Sequence, residues 1–205
     1  MNTMKYKLLL LFLFLSASLS AQVAVRGFQF RPIGEYGMVL SKAAGFEVMY
    51  MGDFSEDPFR ARLGLSFTAP SPRLDTFPIY GTTNVNGPEE VYEGYQIYHS
   101  YKAIMLDIGI DFAFVDKDPF YAYGGLAIQV GNNSQEVETY IYNMTRLTSS
   151  EPHGMFGFGY CLGIEYKLSE SFSLFGEFTH IWGYTEEDGW LKHNEIGLGI
   201  HYTFQ

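Results

Sequence analysis

Across residues 104–114 the even positions hold Ile, Leu, Ile, Ile, Phe and Phe, and the odd positions hold Met105, Asp107, Gly109, Asp111 and Ala113. A period of two sustained over this length describes a strand with two unlike faces, and no helix. The same alternation predicts strands over 25–39, 44–54, 59–68, 101–114, 119–131, 154–168, 171–183 and 193–204. Within the first of these, residues 34–37 (Gly, Glu, Tyr, Gly) fit either a loop or a continuing strand. Residues 55–58, 116–118 and 169–170 carry the Ser, Asp, Glu and Pro of tight turns. Longer connections fall at 69–100, 132–153 and 185–190, while the link near Ser41 and Lys42 is short. No segment of helical period intervenes, so the eight strands are antiparallel neighbours. An all-β, up-and-down sheet of this kind loses its exposed edges by closing into a barrel.

The two faces decide what surrounds that barrel. One carries Phe46, Val48, Tyr50, Phe54, Leu63, Leu65, Phe67, the 104–114 series, Leu126, Ile128 and Val130. It continues through Phe156, Phe158, Tyr160, Leu162, Ile164, Leu174, Phe178, Trp182, Ile196, Leu198 and Ile200. The other carries Glu47, Arg60, Arg62, Asp107, Asp111, Gln129, Glu165, Lys167, Glu177, Glu195 and His201, interleaved with Gly45, Gly64, Gly109, Gly125, Gly163, Gly197 and Gly199. Glycine weakens a strand and gains nothing on a solvated face. Inside a narrow barrel it makes room for large neighbours. The charged face is therefore expected inside and the apolar face against hydrocarbon, the inverse of a water-soluble barrel. The aromatics agree. Phe54, Phe59, Phe112, Phe114, Phe120, Tyr166, Phe172, Tyr202 and Phe204 gather near the short-turn end, and Phe67, Phe156 and Trp182 form a sparser set near the loop end, as at the two borders of a bilayer.

Lys5 and Lys7 precede an apolar run at 8–15 and small residues at 16–21. That pattern predicts a secretory signal peptide over 1–21 and a barrel domain over 22–205. The run is shorter than the roughly 20 residues of a spanning helix. Without the two leader lysines the formal net charge moves from −10 to −12, and no basic stripe exists for nucleic acid. Cys161 is the single cysteine, so an internal disulfide is excluded. A closed barrel satisfies its backbone without one. Cys161 falls on the charged face and is expected to be a buried, inert thiol.

Leader, eight strands, unequal connections and a terminal aromatic strand resemble the small outer-membrane β-barrel proteins of Gram-negative bacteria (the OmpX, OmpW and OmpA-barrel group). The run of Gly199, Tyr202 and Phe204 is similar to the signal read by the outer-membrane insertion machinery, although Gln205 follows the aromatic. The resemblance implies residence in the outer membrane, termini in the periplasm, long loops outside the cell, and lipid and lipopolysaccharide as neighbours. Tyr50, Met51, Gly52 and Asp53 also resemble a stretch of the small barrel of a type IX secretion apparatus, which would supply an envelope protein partner.

An eight-stranded barrel is filled by side chains. Basic Arg31, Arg60, Arg62 and Lys167 against acidic Glu47, Asp107, Asp111, Glu165, Glu177 and Glu195 are therefore expected to form a salt-bridged plug rather than a pore. The long connections carry Tyr80, Tyr92, Tyr95, Tyr98, Tyr140 and Tyr142 among Asp75, Glu89, Glu90 and Glu93. Tyrosine with small polar residues makes adaptable contact surfaces. The alternation of Val91, Glu93, Tyr95 and Ile97 equally fits strands continuing beyond the bilayer. His180 resembles the membrane-facing histidine of a lipid-A deacylase, but Trp182 stands where that family places its nucleophilic serine, and Thr179 faces inward. His153, His193 and His201 lack ligand spacing, and neither a metal nor another cofactor is implied. The expectation is a non-enzymatic barrel serving surface interaction or membrane integrity, with a machine subunit second and a lipid-A enzyme third.

Overall fold

The computed structural model describes residues 22–34, 36–52, 54, 58–73, 76–83, 90–141, 147–149, 152–185 and 189–204. Residues 1–21, the expected leader, and Gln205 lie outside them. The elements in chain order are β1 (Gln22–Ile33), α1 (Tyr36–Val39), β2 (Ala43–Met51), β3 (Phe59–Thr68), β4 (Thr76–Thr83) and β5 (Glu90–Lys117). There follow β6 (Phe120–Ile141), β7 (Leu147–Ser149), β8 (Pro152–Lys167), β9 (Phe172–Thr185) and β10 (Gly189–Thr203). The hydrogen-bonded order β5-β3-β2-β1-β10-β9-β8-β6 returns to β5 through the β5–β6 pairing. Eight antiparallel strands thus close into a ring. The seam joins β1 to β10, with Val25 opposite Ile200 and Arg26 opposite Gly199.

The exposure pattern is inverted relative to a protein in water. Leu126 and Leu198 are 72% and 76% exposed, while Asp111 is fully buried. A contiguous apolar belt on the outside of a closed barrel is stable only in hydrocarbon. No helix among the described residues is long and apolar enough to cross a membrane, so the crossing is made by strands.

Four expectations are corrected. β1 runs from Gln22 to Ile33 instead of 25–39, because Gly34 takes a φ of 65° and α1 follows. Its buried residues are Gln22, Ala24, Arg26, Phe28 and Phe30, so Arg31 faces outward and Arg26 inward. β5 and β6 run far past 101–114 and 119–131, and their register shifts between Tyr98 and Ser100. Much of the two predicted loops is therefore paired strand, with β4 added beside β5 and β7 beside β6. The β5–β6 turn is Asp118 and Pro119, not 116–118. Phe54 does not join the lipid-facing ring. It is buried with Ala113, Tyr121, Tyr123 and Cys161, because the regular pleat ends at Met51.

Candidate functional site

The lower interior is one chain of ion pairs. Arg26 is its hub: Nη2 lies 2.7 Å from Glu47 Oε2 and 2.6 Å from Glu195 Oε2, and Nη1 lies 2.8 Å from Glu177 Oε1. Arg62 Nη1 meets the other Glu177 oxygen at 2.7 Å, and its Nε is 3.7 Å from Asp111. Arg60 joins Asp111 at 3.1 Å to Glu165 at 2.7 Å. The ends carry imidazoles, His193 Nε2 at 3.4 Å from Glu195 and His201 Nε2 at 3.2 Å from Glu165. Tyr123 and Thr179 donate hydroxyl hydrogens to Glu177 at 3.1 and 3.0 Å. The Cys161 thiol donates to Asp111 at 3.3 Å. The Arg60 guanidinium also lies over the rings of Phe54 and Tyr123, at 4.2 and 4.5 Å from their centroids.

Three arginines thus hold five carboxylates. Asp107 stands apart: it accepts from Ser66 Oγ at 2.7 Å and has no cationic partner among the described residues. Lys167 was expected inside, but it is only half-buried near the short-turn rim, and no ion pair of the described residues includes it. Arg26 was missed because both faces of β1 carry large residues. Its signal lies across the seam, where glycines face it. A side chain at Gly197 would meet the Arg26 methylenes. The same logic runs round the interior: a Cβ at Gly64 would strike Glu47, at Gly109 Arg62, at Gly125 Asp111, and at Gly163 Tyr123.

Above the network the interior turns apolar, with Met105, Met155 and Leu191 clustered. A cavity of ≈ 10 Å³ remains beside Gln129 and His193, room for about one water. Leu40 packs on Tyr101 and Ala103 and bridges to Pro72. The Ser41 N–H donates to Ser71 O at 2.8 Å and the Arg73 N–H to Val39 O at 2.7 Å, which draws the segment after α1 over the barrel mouth. Among the described residues, buried side chains line the interior from the ion-pair network up to the cluster of Met105, Met155 and Leu191.

Beyond the belt, β4, β5, β6 and β7 continue as a four-stranded sheet. Tyr95 and Tyr140 stack at 4.8 Å and 15°. The Tyr140 hydroxyl donates to Glu138 at 2.8 Å, and His99 Nε2 lies 3.3 Å from the same oxygen. On the opposite face Gln96 donates to Thr139 at 3.3 Å and accepts from the Tyr98 hydroxyl at 3.4 Å. The side chains of Tyr80 and Tyr92, and all of Tyr142, lie outside the described residues.

On the lipid face of β9, His180 Nδ1 lies 2.5 Å from Asn194 Oδ1 on β10. Trp182 stands edge-on to the imidazole at 4.3 Å and Tyr160 lies 5.5 Å away. Thr179 is turned inward onto Glu177, so it offers no nucleophile beside His180. At the end of the chain Tyr202 and Phe204 pack edge to face at 5.0 Å, Tyr202 also meeting Phe172. Gly199 lies on the inner face against Phe175. Among the described residues no group of three or more metal-ligating side chains occurs.

Solved structures of outer-membrane proteins are similar to this chain. Neisserial surface protein A superposes with a TM-score of 0.61 at 11% identity, covering 90% of this chain and 97% of its own. A major outer membrane protein of Thermus thermophilus gives 0.51 at 13% identity, covering 90% and 100%. The attachment invasion locus protein Ail of Yersinia pestis gives 0.43 at 16%, covering 90% and 97%. No curated relative matches the chain. The family model for the outer membrane protein β-barrel domain matches residues 8–204. With its closed ring and apolar belt, this chain belongs to the outer-membrane β-barrel proteins of Gram-negative bacteria and resides in their outer membrane.

Proposed function

We propose that this protein is a non-enzymatic barrel that presents a rigid recognition surface outside the cell. The observation that carries this reading is the continuation of β5 and β6 beyond the apolar belt, with the Tyr95–Tyr140 stack and Glu138 fixed on one face. Stacked tyrosines beside a held carboxylate suit polar, ring-bearing ligands such as sugars, or a protein loop. The buried side chains that line the interior support a structural barrel rather than a channel. An amide partner for His180, with tryptophan at the nucleophile's position, supports the absence of deacylase chemistry. The Gly199, Tyr202 and Phe204 strand serves, on the same reading, as the tag for the insertion machinery, and residues 1–21 as the cleaved leader.

The test is glycan-array and detergent-extract capture with the full-length barrel and with the Tyr95→Ala/Tyr140→Ala double variant. Recognition requires a ligand retained by the native protein and lost by the variant. A stoichiometric periplasmic partner held equally by both would favour the machine-subunit alternative instead. Sensitivity of a deletion strain to detergents, rescued equally by native and variant protein, would favour membrane integrity alone.

A further inference from the structure

Above the belt, the outer face of β5 and β6 changes character at one residue. Tyr101 and Ala103 are buried on the inside, so Ser100 and exposed Lys102 lie on the outer face. Between Tyr98 and Ser100 the pairing register shifts and passes over His99. His99 is the extra residue of a β-bulge, which re-aims the side chains beyond it. There Ile97 lies opposite Glu138 and Tyr95 opposite Tyr140, so these four continue the outer face. Thr76 and Pro78 of β4 stand beside Ile97 and Tyr95 on the same face. Without the extra residue, Tyr95 and Ile97 would keep the inward phase of Tyr101 and point over the barrel mouth.

The face so formed carries charge of one sign. Glu93 and Glu136 are exposed, and neither has an ion-pair partner among the described residues. Glu136 lies opposite Ser100, and Glu93 lies two residues beyond Tyr95. The two carboxylates therefore flank the ring pair at either end, roughly 20 Å apart along the strands. Glu138, between them, is already held by the Tyr140 hydroxyl and His99, which fixes the rings. Tyr95, Ile97 and Tyr140 are only half-buried, so an apolar strip stays open between the two charges. Lys102 sits apart, at the edge of the belt. The stretches 76–100 and 132–153 carry six acidic residues against the single Arg146. The field over this face is negative and repels polyanions.

We propose that this face binds a basic segment of another protein, one that carries an aromatic or apolar residue between two cations. The inference rests on the recognition reading above and narrows it. Tyr95, Tyr140 and Ile97 pack the central side chain. Glu93 and Glu136 pair with the flanking lysine or arginine residues, and about six residues of extended chain span their separation. No bond is made or broken. A neutral sugar would use the rings and leave both carboxylates unused, and a sulfated or phosphorylated glycan would be repelled.

The experiment is an array of short peptides probed with the full-length barrel in a zwitterionic detergent. Each peptide has a central aromatic residue flanked by Lys or Arg, by Gln, or by Glu. The basic members are expected to retain the native protein, and their Gln and Glu counterparts to release it. By fluorescence anisotropy on the best basic member, Glu93→Gln/Glu136→Gln should lower affinity about tenfold, mostly through the association rate. Tyr95→Ala/Tyr140→Ala should lower it at least as much, whereas Asp116→Asn/Asp118→Asn at the other rim should leave it unchanged. A gel-mobility shift on boiling verifies that each variant is folded. Retention indifferent to peptide charge, retention of no basic peptide, or undiminished affinity of the Glu93→Gln/Glu136→Gln variant would overturn the proposal. A neutral glycan bound by the native protein, lost by the tyrosine variant and unaffected by the glutamate variant would overturn it too, while leaving the recognition reading intact.

Discussion

β3 shows two environments one residue apart. Arg60 and Arg62 are buried among carboxylates, while between and beyond them Ala61 and Leu65 are exposed. Outside, stability comes from matching an apolar side chain to hydrocarbon, and neighbours scarcely matter. Inside, it comes from mutual satisfaction. A buried pair is worth little against a well-packed apolar substitute, yet removing one member strands a charge. The inside should therefore be brittle to single changes that the outside tolerates.

The sharpest break in that contrast is Glu177→Ala, since Glu177 alone serves Arg26, Arg62, Tyr123 and Thr179. It should cost about 3–5 kcal/mol, measured by guanidinium unfolding in detergent; a loss comparable to that of a belt residue would dissolve the distinction. Next in size, Leu106→Arg on the belt should cost about 2–4 kcal/mol near mid-bilayer, and Tyr202→Arg near the border about 0–1 kcal/mol. The difference between them sharpens the outer rule into one of depth. Glycine offers a smaller test within one residue type. Gly109→Ala meets Arg62, while at Gly27 nothing lies within 4 Å of an added Cβ. The first should destabilise by about 1–3 kcal/mol and the second should be near neutral by the same titration. Smallest is Tyr95→Ala/Tyr140→Ala, which removes a ring pair worth about 0.5–1.5 kcal/mol but lies beyond the belt. It should leave the barrel's melting temperature within experimental scatter while loosening the β4–β7 sheet in hydrogen exchange.

The period-two pattern makes the barrel legible where both faces are consistent, as in β3, β5, β8 and β10, because burial in lipid and packing around ion pairs demand opposite residues at alternate positions. It fails where one face mixes types. In β1, Phe28 and Phe30 point inward beside Arg26, so apolar character misassigns the strand's phase and puts Arg31 inside. At Phe54 the pleat has already ended. The length of β5 and β6 was visible as alternation at 91–97, but whether alternating polar and aromatic residues pair depends on partners in β4 and β6, which a single segment does not reveal. The interior hub is invisible for another reason. Arg26 meets Gly197 and Glu195 only because the first strand closes on the last.

Interstrand NOEs on isotopically labelled barrel in detergent micelles test that closure directly. Backbone contacts should link β1 to β10 in the register of Val25 opposite Ile200 and Arg26 opposite Gly199. Their absence, with the β1–β2 and β9–β10 contacts intact, would mean an open sheet and would contradict the account.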